Sequence, residues 1–188
     1  FYFKPADQRA RSTVSMNALK EGIRVWDRDI NRFLTSDYVP LYNPVEEYLY
    51  DTGRWDGKDR IRALADLVPC HNPHWQELFY RWLLGMVAHW RGMDRQHGNN
   101  TSPLLVGSQG FRKSTFCRIL LPPELRFGYT DSIDFSRKRD AELYLNRFAL
   151  INIDEFDQIS STQQGFLKHI LQKPVVNVRK PYANAVLE

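Results

Sequence analysis

Thiols are scarce in this chain. Cys70 and Cys117 are its two cysteines, isolated from each other and from any histidine pair at ligand spacing, which argues against a zinc site or a disulfide framework. No apolar run approaches the roughly 20 residues that a membrane-spanning helix needs. The opening residues, Phe1-Tyr2-Phe3-Lys4-Pro5, lack the pattern of a signal peptide, so the expectation is a cytoplasmic protein with no membrane attachment. What is present is ordinary: 188 residues, 43% apolar and 26% charged, the composition of a globular protein with room for one domain and a helical appendage. The net charge of +4 and a pI near 9.1 allow a polyanionic partner without identifying one.

The most informative stretch runs from Pro103 to Thr115. The apolar residues Leu104, Leu105 and Val106 predict a short strand that stops at Gly107. A polar loop then delivers Lys113 and Ser114 to the start of an apolar-periodic segment, Phe116 to Leu121. Gly107 to Ser114 follows the phosphate-binding P-loop pattern G-x-x-x-x-G-K-[ST], except that Arg112 stands where the second glycine belongs. Such a loop works because a helix N-terminus has unpartnered N–H groups and the positive end of its dipole. Gly107, Ser108, Gln109, Gly110, Phe111 and Arg112 would wrap the phosphates of ATP. Lys113 would reach the β- and γ-phosphates, and the Ser114 hydroxyl would take Mg²⁺. Thr115 is the next hydroxyl along. Arg112 has two readings, a side chain turned to solvent or phosphate, and a side chain that spoils the pocket.

A second apolar run, Phe148 to Ile153, is interrupted by Asn152 and ends in Asp154 and Glu155. Buried parallel strands read as near-continuous apolar runs, and ligands gather at their carboxyl ends. This is the form of a Walker B strand, partner to the Walker A loop above. Asp154 would hold Mg²⁺ through water, and Glu155 would polarise the attacking water.

Upstream, Met16, Leu19, Ile23, Trp26, Ile30 and Phe33 fall three or four apart and predict one amphipathic helix. Its outer face mixes Lys20, Arg24, Arg28 and Arg32 with Glu21, Asp27 and Asp29, as a solvated surface does. Asn43-Pro44 with Glu46 and Glu47 reads as a helix start. Trp55-Asp-Gly-Lys-Asp-Arg60 reads as a compact turn. Trp75, Leu78, Phe79, Trp82, Leu83, Met86, Val87 and Trp90 form the clearest helical stripe, the expected centre of a helical bundle.

The Asn-Pro start, the Trp-Asp-Gly-Lys-x-Arg turn, Gly-Ser-Gln-Gly-Phe-Arg-Lys-Ser-Thr and the late Asp-Glu strand together resemble the virulence-associated E family over roughly residues 40 to 188. Its members are P-loop proteins of phages, mobile elements and bacteria, similar to the helicase parts of phage and plasmid primase-helicases and more distantly to superfamily 3 helicases. The resemblance implies that Lys113 and Ser114 bind nucleotide phosphate and Mg²⁺ and that Asp154 and Glu155 serve hydrolysis.

Between the motifs, Ser136 is expected to cap a helix reaching Asn146. The cations Arg137, Lys138 and Arg139 sit badly for its dipole, and either DNA phosphate or Asp131 and Asp134 would compensate them. Ser160 to Gln163 has capping-box spacing. Val175 to Val186 reads as two short strands around a basic turn, in the position of the DNA-contacting hairpin of superfamily 3 helicases. Arg179 and Lys180 would touch phosphates and Tyr182 would stack on a base; a plain surface hairpin is the other reading.

The expected fold is α/β: a P-loop NTPase core, a parallel sheet flanked by helices, over 101–188, preceded by a helical region over 1–100. A complete core needs a further strand with a sensor residue, so the core is expected to be incomplete at its C-terminus, with weak or no hydrolysis by this piece alone. The expected function is that of an ATP-driven, helicase-like protein acting on single-stranded DNA, in a homo-oligomeric ring within a longer protein, for replication of a mobile element. The alternative is a non-catalytic module with a degenerate P-loop that binds nucleic acid or protein.

Overall fold

The structure is a computed structural model and describes residues 7–39, 42–93, 101–173, 175–176, 178–179 and 186–187. It is mixed helical with a small parallel sheet, an α/β arrangement. The chain divides into two compact units, Phe1–Glu47 and Tyr48–Glu188.

In the first unit the expected single helix is two. α1 (Gln8–Lys20) starts at Asp7, whose carboxylate accepts from Ala10 N at 2.8 Å, and α2 spans Asp27–Leu34. Gly22, at φ 75°, causes the break. The Gly22 N–H donates to Leu19 O and the Ile23 N–H to Ala18 O, the paired bonds with which a glycine in left-handed conformation closes a helix. Arg11 donates to Asn31 Oδ1 at 2.8 Å and Ser15 to Asp27 Oδ1 at 3.0 Å, lashing α1 to α2. Of the six apolar residues in the stripe, Ile30 alone is buried. α3 (Pro44–Asp51) begins as its residues predict, with Asn43 Oδ1 accepting from the Val45 and Glu46 N–H groups.

In the second unit, α4 (Arg60–Ala65) and α5 (Trp75–Trp90) pack together. Trp75 Nε1 donates to Ala65 O at 2.9 Å, and Arg62 reaches Glu77 Oε2 at 2.7 Å while stacking over the Tyr80 ring. The apolar stripe of α5 reaches beyond α4. Phe79, fully buried, meets the ring of Phe116 at 6.0 Å on α6 (Lys113–Ile119). At the other end of α5, Trp90 Nε1 donates to Ala149 O at 2.8 Å.

β1 (Tyr129–Thr130) pairs in parallel with β2 (Leu150–Ile151). Bonds from Ala149 N to Gly128 O and from Asn152 N to Thr130 O, both 2.8 Å, extend the ladder by a residue at each end. α7 (Lys138–Arg147) connects them, as a parallel pair requires. Ser136 does not cap it. Its own N–H donates to Asp134 Oδ1 at 2.8 Å, and Arg137 holds the cap position without a side-chain bond. α8 (Ser161–Leu171) carries the expected capping box between Ser160 and Gln163. Phe135, Ala141, Phe166, Leu167 and Ile170 form the core here, with Ile153 packed against it. β3 (Val178–Arg179) and β4 (Val186–Leu187) pair antiparallel, and β3 runs beside α7.

Candidate functional site

The loop from Gly107 to Arg112 leads directly into α6, whose first residue is Lys113. Its backbone bends where left-handed residues allow it. Gly110 lies at φ 89° and Arg112 at φ 55°, ψ 29°, so position 112 takes the conformation that suits a glycine, and a non-glycine pays about 1–2 kcal/mol for it. Gly107 has no such φ, and a Cβ built there meets nothing within 4 Å. The glycine requirement therefore falls on 110 and 112 rather than on 107. Ser108, Gln109, Phe111 and Thr115 are exposed around the loop.

Lys113 Nζ donates to Gly107 O at 2.8 Å and Ser108 O at 3.0 Å. The ammonium thus closes the loop in which it sits. One residue on, Ser114 Oγ donates to Asp154 Oδ2 at 2.9 Å across 40 positions of sequence. That bond joins the first turn of α6 to the segment leaving β2. Glu155 follows in left-handed conformation, φ 51° and ψ 44°, with its N–H donating to Asp154 Oδ1 at 3.1 Å. The Asp154 carboxylate is thereby held from both sides while its neighbour Glu155 is exposed. Burial, with the Asp154 charge adding to it, pushes the nearby Cys117 thiol up.

The expected strand at Leu104–Val106 is absent. Leu104 and Val106 are 66% and 88% exposed, and the segment makes no ladder to β1 or β2. Apolar composition alone does not make a strand, since its N–H and C=O groups need a paired neighbour.

On the other flank of Asp154 lies a cavity of about 220 Å³, lined by Asp131, Asp134, Asp154, Glu155, Gln158 and Gln163 among others, and by none of residues 107–115. Asp131 follows β1 directly and Asp154 lies three residues beyond β2, so an acid comes after each of two adjacent parallel strands. Arg118 of α6 reaches Asp131 Oδ2 at 3.3 Å and lies 5.6 Å from the Tyr129 ring centre. Neither Asp131 nor Arg118 stood out as a site residue in the sequence, because β1 is too short to read as an apolar run. Asn152, which interrupts the second apolar run, faces the Tyr129 hydroxyl. The hydroxyl is buried without a hydrogen bond of normal geometry, and the Asn152 amide offsets only part of the rise that burial imposes on the phenol pKa.

Arg137 is answered by protein carboxylates, Asp134 at 3.8 Å and Asp140 at 3.9 Å, and Lys138 sits over the Phe166 ring. Of the three residues expected to meet DNA, Arg179 has its backbone in β3, while Lys180 and Tyr182 lie outside the described residues. Among the described residues, no group of three or more His, Cys, Asp or Glu side chains is set to hold a metal ion, and no helix is long and apolar enough to cross a membrane.

The virulence-associated protein E-like domain family model matches residues 49–188, well over half of the chain. The chain belongs to that family. The matched span of this virulence-associated protein E-like domain takes in the Trp55 turn, α5, the loop before α6 and the acid pair after β2. No curated protein and no solved structure matched the chain.

Proposed function

We propose that the chain is the ATP-binding part of a helicase-like P-loop protein that acts on DNA. The observation that carries this reading is the Ser114 to Asp154 hydrogen bond. Two motifs remote in sequence, each weak alone, meet through the hydroxyl and the carboxylate that a P-loop protein uses at its metal. Both side chains offer oxygen, as Mg²⁺ prefers; Ser114 would take the ion directly and Asp154 would hold it through water. Bound Mg²⁺-ATP would supply a polarised γ-phosphate. Around it, the α6 N-terminus and the loop N–H groups would hold phosphate, Lys113 would leave the Gly107 and Ser108 carbonyls to pair with it, and Glu155 would orient water. A P-loop core built on the parallel pair and single-stranded DNA as partner, in a homo-oligomeric ring, complete the reading.

Three features favour the non-catalytic alternative: the strained Arg112, the occupied Lys113 ammonium and the unpaired segment at 104–106. Calorimetric titration with Mg²⁺-ATP separates the two readings. Binding by the parent chain that is lost in Lys113→Ala supports the nucleotide reading. Silence in the parent that Arg112→Gly relieves supports the alternative with its degenerate P-loop, and silence in both assigns the loss to the incomplete core.

A further inference from the structure

A second surface of the same unit displays an aromatic ring that the fold does not use. Trp55 is 78% exposed, and Tyr50, in the last turns of α3, is 87% exposed. Leaving an indole in water forgoes the burial of the largest apolar side chain available. Yet this ring is not loose. Its Nε1 donates to Lys58 O at 3.1 Å, the Lys58 N–H donates to Asp56 Oδ1 at 3.1 Å, and Arg60 grips both oxygens of Asp56 at 2.7 Å. Gly57, at φ 84°, supplies the bend. The turn is cross-braced so that the indole is held in place with its face in solvent.

The charges around the ring are unevenly spent. Asp56 is committed to Arg60, and Asp59 to Arg62 and to the first turn of α4. Arg54 and Lys58, on either side of Trp55, have no ion pair or side-chain hydrogen bond among the described residues. Asp51, upstream, is the neighbouring acid. A fixed exposed indole flanked by uncommitted cations is the composition of a surface on which bases stack and phosphates pair. A protein hot spot is likewise rich in Trp and Arg; a salt-dependent affinity for an oligonucleotide is what distinguishes a stacking platform from it. A duplex keeps its base faces covered, so the ring selects single strands.

We propose that the 54–60 turn is a stacking platform for single-stranded nucleic acid, with a base on Trp55 and phosphates against Arg54 and Lys58. This rests on the DNA part of the function proposed above and is independent of nucleotide binding.

The test is fluorescence anisotropy of a labelled oligothymidylate with the full chain, without ATP. Trp55→Ala weakens binding by about 5- to 150-fold, the worth of one stacked base. Trp55→Phe, which lacks the indole N–H but keeps a ring, recovers most of the loss, and this separates stacking from the brace to Lys58. The double variant Arg54→Ala/Lys58→Ala lowers the log–log salt slope by about 1.4, roughly 0.7 per phosphate contact, whereas Trp55→Ala leaves the slope unchanged. Oligonucleotide affinity equal to the parent's in Trp55→Ala overturns the platform and leaves the DNA reading standing. So does a loss of self-association in that variant with unchanged oligonucleotide affinity, which would assign the ring to a protein contact. No binding by the parent at low salt overturns both the platform and the DNA reading.

Discussion

Arg112 is the residue at which family pattern and local physics meet. A glycine belongs there in the P-loop pattern, and the structure gives the reason: the backbone turns into α6 through the left-handed region, at φ 55°. Arg112→Gly is expected to raise stability by about 1 kcal/mol, the lower end of the cost of that conformation for a side chain with a Cβ. Urea unfolding checks it, and a variant less stable than the parent would show that the guanidinium holds contacts worth more than the strain. Tyr129 makes a second prediction at this scale. Its hydroxyl is buried with no hydrogen bond of normal geometry among the described residues, so Tyr129→Phe removes a desolvated polar atom and is expected to stabilise the fold by about 1 kcal/mol. A destabilised Tyr129→Phe would mean that the Asn152 amide does bond the hydroxyl in solution.

Among the elements, α5 is the one whose loss would be felt most widely, because it touches α4, α6 and the start of β2. Trp90→Phe keeps an aromatic ring but leaves the Ala149 carbonyl without its indole donor. The expected cost is about 1 kcal/mol in urea unfolding, the lower end of the penalty for an abandoned acceptor, since this bond is partly buried. An unchanged midpoint would mean that water replaces the indole.

The clasp between α4 and α5 predicts a pH response. Asp56, hydrogen-bonded by Arg60, is held far below the usual carboxylate range; Asp59, bonded by the Arg62 N–H and guanidinium, and Glu77, bonded by Arg62 and then Arg81, are lowered too. Carboxylates depressed in the folded state stabilise it above their unfolded pKa near 4 and lose that contribution as pH falls through the folded values. The melting temperature should therefore drop below about pH 4, less steeply in Arg62→Ala and at high salt. An equal slope in Arg62→Ala would remove the clasp as its source.

What could be read from the residues at this scale was local. Asn43 and the Ser160–Gln163 pair announce their helix starts because a cap is settled within four positions. The stripe from Met16 to Phe33 keeps its period across Gly22, so the break stayed hidden in the pattern and shows only in the glycine itself. Leu104–Val106 misled for the opposite reason, an apolar run whose strand needs a neighbour that no local pattern supplies. The Trp90 to Ala149 bond spans 59 positions and leaves no trace in any window of sequence. The Ser114 to Asp154 bond joins two segments that the sequence singled out separately, the loop before α6 and the acid pair after the second apolar run.

For the whole molecule, the division into Phe1–Glu47 and Tyr48–Glu188 cuts through α3, so the piece to express begins at its cap, Asn43. Residues 43–188 are expected to unfold in one cooperative transition and to keep any Mg²⁺-ATP response of the full chain. That response is itself measurable as a rise in melting temperature, equal in free energy to about 2.7 kcal/mol at one hundred times the dissociation constant. A rise in the full chain that vanishes in 43–188 would place part of the nucleotide response in the first unit. The placing of tryptophans on α5 has an optical consequence. Trp75, Trp82 and Trp90 lie partly covered along this one helix, while Trp55 and Trp26 face water. Emission from the chain therefore has a red, quencher-accessible component and a bluer, shielded one, and the shielded light reports whether the helix behind the 107–112 loop is in place.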